Sequence, residues 1–275
     1  MTNPLPEGEL APHAPRLRSR SSLRLAFPDP SEIMDQDREW CVLEERGAWR
    51  EIRFHDYAAI YDVPGLYERL FHHVLQCTSP TVVADCLNRA LRQQELDPSG
   101  MRVLDLGAGN GMIGEELRAL GVGAVVGVDI LPEARAAASR DRPGIYEEYL
   151  VADFTVADPE RRARLGLFDG LTCVAALGFG DIPVAAFAAA FSLVKPGGWV
   201  AFTIKETFMN ALDPSGFDAF IKGLVSDKAL SVHVQQRYRH RLSTSGEPLY
   251  YLAVVARKSQ EPTASLRALP STRAD

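Results

Sequence analysis

A loop with three alternating glycines carries the clearest chemical signal in the sequence. Gly107, Gly109 and Gly111 follow an apolar run and precede a helical pattern, and Asp105 lies two positions before the first of them. Glycine lets backbone N–H groups approach a ligand without a Cβ in the way, and the following helix offers its electropositive N-terminus. A dinucleotide-binding loop has the spacing G-x-G-x-x-G, but its sixth position is Met112 here. A carboxylate beside the loop would repel a diphosphate and attract a cation.

The segment Val103–Gly111 resembles motif I of class I S-adenosylmethionine (SAM) methyltransferases, in which an acidic residue precedes G-x-G-x-G. The resemblance implies SAM as the cofactor and S-adenosylhomocysteine as the product. SAM carries an ammonium and a sulfonium group but no phosphate, which agrees with an acidic loop. From motif I the resemblance implies five cofactor-binding residues: Asp105, Gly107, Ala108, Gly109 and Gly111.

The ends of the next two predicted strands carry further candidate cofactor ligands, because ligands in open α/β sheets bind beyond the carboxyl ends of strands. Asp129, followed by Ile130, closes the second strand, where a carboxylate can accept two hydrogen bonds from ribose hydroxyls. Its alternative role is to cap the chain ahead of Pro132. Asp153 ends the third strand, and the resemblance implies that it accepts from the adenine amine while Phe154 flanks the ring. The alternative for Asp153 is a capped turn.

Residues around the fourth and fifth strand ends are candidates for the acceptor side of the site. The resemblance places Ala175 near the transferable methyl group, and Asp181 either acts on an acceptor or caps the next helix. Glu206, at the exit of strand five, either takes a proton or is a solvated loop charge. Tyr57 and Tyr61 share a helix face and match a Y-x-x-x-Y-D segment that folds over the cofactor in many small-molecule methyltransferases. Core packing is the alternative for both rings.

The acceptor class is less well defined than the cofactor. The Asn/Asp-Pro-Pro-aromatic signature of exocyclic-amine methyltransferases is absent, and a net charge of −6 argues against a nucleic-acid substrate. Segments 57–62, 176–183, 202–206 and 250–256 resemble small-molecule methyltransferases of types 11 and 12 and, distantly, the methyltransferase-like group named for the Williams–Beuren region. We expect methyl transfer to an O, N or C nucleophile of a small molecule, secondary metabolites included. An NAD(P)-dependent oxidoreductase, a catalytically idle cofactor-binding module and a nucleic-acid methyltransferase are the alternatives.

The elements that must position these residues alternate as strands and helices between residues 101 and 205. A further helix and two strands follow, Ala229–Tyr238 and Leu249–Ala256. Near-continuously apolar strands that alternate with helices predict a parallel sheet covered on both faces. Together with the resemblance, they predict an α/β, Rossmann-like class I methyltransferase fold. Its sheet would have seven mostly parallel strands with a reversed last strand, and a helical N-terminal lid.

The predicted organisation has four parts. Residues 1–50 are predicted to form an irregular, mostly disordered extension because of their scattered prolines. Residues 51–98 are predicted to form a helical lid over the active site. Residues 99–258 form the predicted SAM-binding domain, and 259–275 a flexible tail. The four cysteines show no metal-ligand spacing, and no apolar run is long enough for a membrane span. We therefore expect no metal, no membrane partner and a cytoplasmic location; a homodimer is an open alternative to a monomer.

Overall fold

The computed structural model describes residues 23–31, 34–177, 181–209 and 215–263. The helices and strands among them have the following bounds. The strands are β1 (Leu25–Ala26), β2 (Trp40–Glu45), β3 (Ala48–Arg53), β4 (Arg102–Leu106), β5 (Ala124–Asp129), β6 (Glu148–Val151), β7 (Phe168–Leu177), β8 (Val194–Lys205), β9 (Leu230–Leu242) and β10 (Pro248–Lys258). The α-helices are α1 (Tyr57–Asp62), α2 (Ser79–Gln93), α3 (Met112–Ala119), α4 (Pro132–Asp141), α5 (Pro159–Leu165), α6 (Val184–Phe191) and α7 (Phe217–Ser226), and Glu68–Val74 is a π-helix.

A seven-stranded sheet organises the chain in the order β6-β5-β4-β7-β8-β10-β9. The first five strands of this order are mutually parallel, and β10 runs antiparallel to both β8 and β9. The predicted fold class is therefore confirmed. The reversed last strand lies one position inside the edge of the sheet, because β9 pairs along its outer side.

Helices cover both faces of this sheet. On one face, Phe187 of α6 packs edge-on against Phe202 of β8 and against Phe217 of α7. On the other face, α2 buries Val83, Leu87 and neighbouring residues against β8 and β10. Helix α2 is thus a layer of the core, whereas the sequence placed it in the lid. The apolar stripe of α2 is long enough to cover the sheet. Helix α1 and the π-helix are too short to do so.

The N-terminal region contains a β-hairpin, which corrects the predicted irregular extension for residues 40–50. Strands β2 and β3 pair antiparallel around Arg46 and Gly47, whose φ angles of 53° and 83° suit a tight hairpin turn. Alternate side chains of the hairpin, Cys41 and Leu43 among them, are buried. They pack with Leu70 and other residues of α1 and the π-helix in a small separate core. The part of the chain before residue 23 lies outside the described residues.

The C-terminal segment continues directly from β10. The Ser259 N–H donates to Ala229 O at 2.8 Å, and the Thr263 hydroxyl donates to Asp227. Residues 264–275 of the predicted tail lie outside the described residues. No helix in the described ranges combines the length and the apolar character needed to cross a bilayer.

Candidate functional site

A large crevice of about 1320 Å³ lies at the carboxyl ends of β4, β5, β6 and β7, with α1 over one side. Pockets for one small ligand are typically about 300–1,000 Å³, so this crevice has room for a second molecule. Three carboxylates line it, those of Asp129, Asp153 and Asp181. Within the described ranges, no lysine or arginine does so. This charge distribution favours a cationic ligand over a diphosphate.

Two glycines of the loop between β4 and α3 are required by their surroundings. Gly107 has φ of 72°, and a Cβ on it would lie 2.7 Å from Ile182 Cδ1. Gly109 has φ of 52°, and its Cβ would lie 2.5 Å from the Tyr61 hydroxyl oxygen. Both residues line the crevice. The loop therefore presents bare backbone to the crevice, as its sequence predicts.

The other small residues of the loop have different positions. Ala108 lines the crevice, and its N–H donates to Val128 O at 3.0 Å. Gly111 is not part of the lining; it precedes α3 with φ of 92°. A Cβ there would lie 3.2 Å from Arg142 Cδ, so this glycine allows close packing behind the loop. The direct cofactor contact expected of Gly111 is corrected by this position.

Asp129 is held at the crevice by the backbone on either side of it. Its Oδ2 accepts from Gly109 N at 3.0 Å, and its Oδ1 accepts from Leu131 N at 3.0 Å. Burial raises the pKa of Asp129, against the lowering effect of these backbone bonds. The next residue, Ile130, is 59% exposed although it is large and apolar, and it lines the crevice. A fixed carboxylate beside an open apolar side chain is a surface suited to a nucleoside.

The segment after β6 completes this wall. Phe154 is buried and lines the crevice, with the Arg161 guanidinium 4.6 Å above its ring. Asp153 also lines the crevice, and its Oδ1 accepts from the N–H and the hydroxyl of Thr155 at 2.7 and 2.6 Å. The turn-capping alternative for Asp153 is thus realised in part, while the side chain stays at the crevice. Val156 adds a second exposed apolar side chain opposite the strand ends.

Asp105 lies behind the loop rather than in the crevice, which corrects its expected cofactor contact. It is fully buried, and its two oxygens accept from the Tyr146 hydroxyl at 2.7 Å and the Thr172 hydroxyl at 2.9 Å. Burial raises the pKa of Asp105 to about 7, although both hydroxyl bonds lower it. Because side chains alternate along a strand, the neighbouring Leu106 lines the crevice instead. Asp105 supports the loop from within the sheet.

Helix α1, the π-helix and the residues between them form the lid over the crevice. Three tyrosines of this lid form a stack along the crevice. The ring centroids of Tyr57 and Tyr61 are 6.1 Å apart, and those of Tyr61 and Tyr67 are 5.3 Å apart, both pairs stacked. All three line the crevice. Burial raises the pKa of each phenol, so the rings are neutral. The structure brings both predicted tyrosines to the site, and adds Tyr67, which the sequence analysis missed.

Ala175 lies where β7 departs from regular pairing with β8, between Cys173 and Leu177. Its φ of 57° is in the left-handed region, which is strained for a residue with a Cβ. The Ala175 N–H donates to the Thr203 hydroxyl at 2.7 Å, which holds this conformation. Bulges of this kind redirect side chains next to active sites, and Ala175 lines the crevice as expected.

The two predicted catalytic carboxylates have opposite outcomes. Asp181 lines the crevice, and its Oδ2 lies 3.2 Å from Nδ1 of His55. His55 belongs to the connection between β3 and α1. Glu206 does not line the crevice; it forms an exposed ion pair with Arg237 at 2.9 Å. The base role expected of Glu206 is therefore corrected, because the strand end turns its side chain to the surface. His55 is a site residue that sequence reasoning missed.

An ionic network around the buried Arg142 fastens the lid to the glycine loop, and it was also missed. Arg142, whose side chain is 6% exposed, donates to Glu68 of the π-helix at 2.8 Å and to Glu115 at 2.7 Å. It also donates to Asn110 O, and the Asn110 amide donates to Glu68 Oε1 at 2.8 Å. Burial lowers the pKa of Arg142, but the carboxylates of Glu68 and Glu115 outweigh it and raise this pKa. No cluster of three metal-ligating side chains occurs in the part of the chain that the structure describes.

Comparison with known proteins gives a family match. A family model described as a methyltransferase domain matches residues 72–243, more than half of the chain. The ubiquinone biosynthesis O-methyltransferase of Thiobacillus denitrificans is 38% identical over 108 residues, 38% of this chain. The chain spans only 44% of the length of that relative. Human methyltransferase-like protein 27 is 29% identical over 183 residues, 61% of this chain and 69% of that protein.

A solved structure gives the same fold. The N-methyltransferase NodS from Bradyrhizobium japonicum, in complex with S-adenosyl-L-homocysteine, superposes with a TM-score of 0.53. The superposition covers 75% of this chain and 98% of NodS, at 15% sequence identity. At that identity the likeness establishes the shared fold alone.

Proposed function

The chain belongs to the methyltransferase domain family, the class I SAM-dependent methyltransferases, and we propose that it transfers a methyl group from SAM to a small-molecule acceptor. One observation carries the proposal. Asp129, Asp153 and Asp181 line the crevice, and within the described ranges no lysine or arginine does. A sulfonium nucleoside with an ammonium group is attracted by such a site, whereas the diphosphate of a nicotinamide coenzyme is repelled.

The residues present fit the parts of SAM. Asp129 accepts hydrogen bonds from the ribose hydroxyls, because its carboxylate is already positioned by two backbone amides. Ile130, Phe154 and Val156 supply the apolar contacts for the adenine ring, and Asp153 accepts from the adenine amine. The backbone at Gly107 and Gly109 contacts the methionine portion, where side chains would block it.

The acceptor binds between the cofactor and the aromatic lid. SAM supplies a methyl carbon activated by its sulfonium, so the protein mainly holds the nucleophile in line and excludes water. For an acceptor that must lose a proton, His55 is the base in this proposal. The Asp181 carboxylate lies 3.2 Å from His55 Nδ1, where it orients the ring and stabilises the imidazolium that forms. Whether an oxygen, a nitrogen or a carbon atom is methylated then depends on the nucleophile of the acceptor.

Calorimetric titration tests the cofactor assignment. We expect SAM and S-adenosylhomocysteine to bind in the micromolar range, and NAD⁺ and NADPH not to bind. Asp129→Ala removes two charged hydrogen bonds and lowers SAM affinity by about tenfold to a hundredfold. Asp85→Ala, an exposed aspartate of α2, is the matched control and leaves affinity unchanged. Binding of NADPH in preference to SAM would instead favour the oxidoreductase alternative.

Turnover tests the acceptor assignment. S-adenosylhomocysteine release is measured over a panel of small metabolites, with a short RNA and a short DNA duplex as competing substrates. We expect release with a small molecule and none with nucleic acid, and a lower kcat for His55→Gln with a protic acceptor. SAM binding without turnover on any substrate would favour the idle-module alternative.

We also propose a cytoplasmic location. Cys41, Cys77, Cys86 and Cys173 are all free thiols, and three of them are buried. Unpaired cysteines are typical of a reducing compartment. Fractionation of cells that produce the chain should recover it with the cytoplasmic fraction.

A further inference from the structure

A narrow cavity continues from the crevice beneath the lid, and we call it the polar slot. His55 and Asp181 line both the slot and the crevice, and we call this side of the slot its mouth. Gln36, Arg241 and Tyr251 line the slot but not the crevice, and we call this side its inner end. Its free volume is about 30 Å³, which holds one or two water molecules or a single functional group, but not a ring. A molecule in the crevice can therefore extend only a small substituent into the slot.

The inner end of the slot contains an unpaired hydrogen-bond acceptor. Gln36 is 8% exposed, and its Nε2 donates to the Tyr251 hydroxyl at 2.7 Å. Its Oε1 is buried and has no hydrogen-bond partner among the described residues. A buried carbonyl oxygen without a donor is costly, and such an oxygen in a native protein calls for an explanation. A donor on a ligand in the slot would supply the missing bond.

Packing holds the Gln36 amide at the inner end of the slot. Tyr251 belongs to β10, between β8 and β9, and the His240 ring stacks on it with a centroid separation of 4.1 Å. His240 is itself held by the Ser79 hydroxyl at 2.6 Å. Because the sheet fixes Tyr251, its hydrogen bond with Gln36 Nε2 keeps the amide group in place beside the slot.

The inner end of the slot has no net charge to offer a ligand. Arg241 lines it, but its guanidinium is paired with Glu39, whose carboxylate is fully buried and also accepts from Thr244 N at 2.6 Å. Burial lowers the pKa of His240, so its ring is neutral. A ligand carboxylate would meet the Gln36 oxygen and the compensated Arg241–Glu39 pair, which together favour a neutral donor.

We propose that the polar slot is the acceptor-specificity subsite, which receives a neutral hydroxyl or N–H substituent of the methyl acceptor and binds it through Gln36 Oε1. The inference depends on the proposed function, because it takes the crevice to be the place where the acceptor binds. The acceptor then carries at least two polar groups, one donating to Gln36 and one facing His55 at the mouth.

Ligand-observed NMR titrations of the full chain saturated with S-adenosylhomocysteine test the proposal. The probes are phenol and aniline, which donate, and toluene and anisole, which do not; benzoate tests the exclusion of charge. Toluene is the more hydrophobic molecule, so non-specific binding would favour it over phenol. We expect phenol and aniline to bind about tenfold more tightly than toluene, and benzoate not to bind.

Gln36→Met keeps the side-chain length and removes the acceptor. We expect the preference for phenol over toluene to fall to twofold or less, while Gln93→Met on the exposed side of α2 retains it. Tyr251→Phe releases the Gln36 amide and should reduce the preference too, so it replaces Gln36→Met if that variant does not fold. Equal binding of phenol and toluene to the wild type, or an unchanged preference in the folded variant, would overturn the proposal.

Cofactor binding separates this result from the proposed function. If S-adenosylhomocysteine does not bind the wild type, the proposed function fails and the slot has no methyl acceptor to select. If it binds and phenol is not preferred, only the slot assignment fails.

Discussion

Replacing Asp105 with asparagine should abolish a specific pH dependence of folding stability. Asp105 is fully buried between the hydroxyls of Tyr146 and Thr172. Each hydroxyl can donate or accept, so an asparagine amide can bond to both in the same space. Asp105→Asn therefore removes the ionisable group and leaves the packing nearly unchanged.

The size of the effect follows from the pKa of this carboxyl. Burial raises it from the ordinary 3.8 to about 7 in the folded protein. Since the folded-state pKa is the higher one, the stabilising contribution is complete below pH 3.8 and is lost as the pH rises through 7. At 1.36 kcal/mol per pH unit, the whole loss is about 4 kcal/mol, of which about 3 kcal/mol falls between pH 5 and pH 8.5.

Urea unfolding followed by tryptophan fluorescence at several pH values measures this loss. The free energy of unfolding of the wild type, minus that of Asp105→Asn, should fall by about 3 kcal/mol from pH 5 to pH 8.5. The control is Asp97→Asn, an exposed aspartate whose pKa is lowered by hydrogen bonds from Ser99. It should give a constant difference over this range. A flat difference for Asp105→Asn as well would refute the conclusion that Asp105 ionises late in the folded protein.

Three other substitutions test the site. Gly109→Ala should lower stability by about 1–2 kcal/mol and SAM affinity at least tenfold, because its Cβ would displace Tyr61; Gly246→Ala, with φ of 86° and open space, controls for backbone strain. Arg142→Met leaves the half-buried Glu68 with only its hydrogen bond from Asn110 and should cost about 1–3 kcal/mol by urea unfolding, whereas Arg50→Met, which breaks an exposed pair, should cost less than about 1 kcal/mol. Glu206→Gln should leave SAM turnover within about twofold of wild type, since exposed ion pairs contribute little; a tenfold loss would return Glu206 to the candidate bases.

The sheet and the cofactor side of the crevice were predictable because their signals are local. The alternation of strands and helices predicted between residues 101 and 205 is observed, with β5 at Ala124–Asp129 and α5 at Pro159–Leu165 among its elements. Buried parallel strands are short apolar runs, and proline or glycine marks the helix ends, so a window of about ten residues contains the necessary information. The same holds for Asp129, whose position at a strand end places it at the crevice.

The errors arose where a local pattern leaves side-chain direction or long-range partners undefined. Asp105 and Leu106 are adjacent, yet only Leu106 lines the crevice, because alternate side chains of β4 face opposite ways. The hairpin β2–β3 has readable alternation at Cys41 and Leu43, but its turn is Arg-Gly rather than the usual Asn-Gly or Asp-Gly. A signal was therefore available for the hairpin and was outweighed by the prolines before it.

The residue pairs on the proposed acceptor side could not be predicted from the sequence, for a different reason. His55 and Asp181 are 126 residues apart, and Gln36 and Tyr251 are 215 residues apart. No periodicity links such pairs; only the tertiary fold brings them together, and for Tyr251 this includes the position of β10 between β8 and β9. Their chemistry depends on the whole topology and not on any motif.

The residues of the cofactor side and those of the proposed acceptor side come from different parts of the chain, and this limits what the relatives indicate about the substrate. The family match covers residues 72–243, which contain the glycine loop and the strand-end carboxylates. Gln36, His55 and Tyr251 lie outside it. Our proposals place Gln36 and His55 against the acceptor, and Tyr251 holds the Gln36 amide. A chain can keep the cofactor half of the crevice while these residues change, because the two sets come from different elements. The substrate of a relative that matches over 108 residues is therefore weak evidence for this acceptor, and the hydrogen-bonding preference of the polar slot is the more direct measurement.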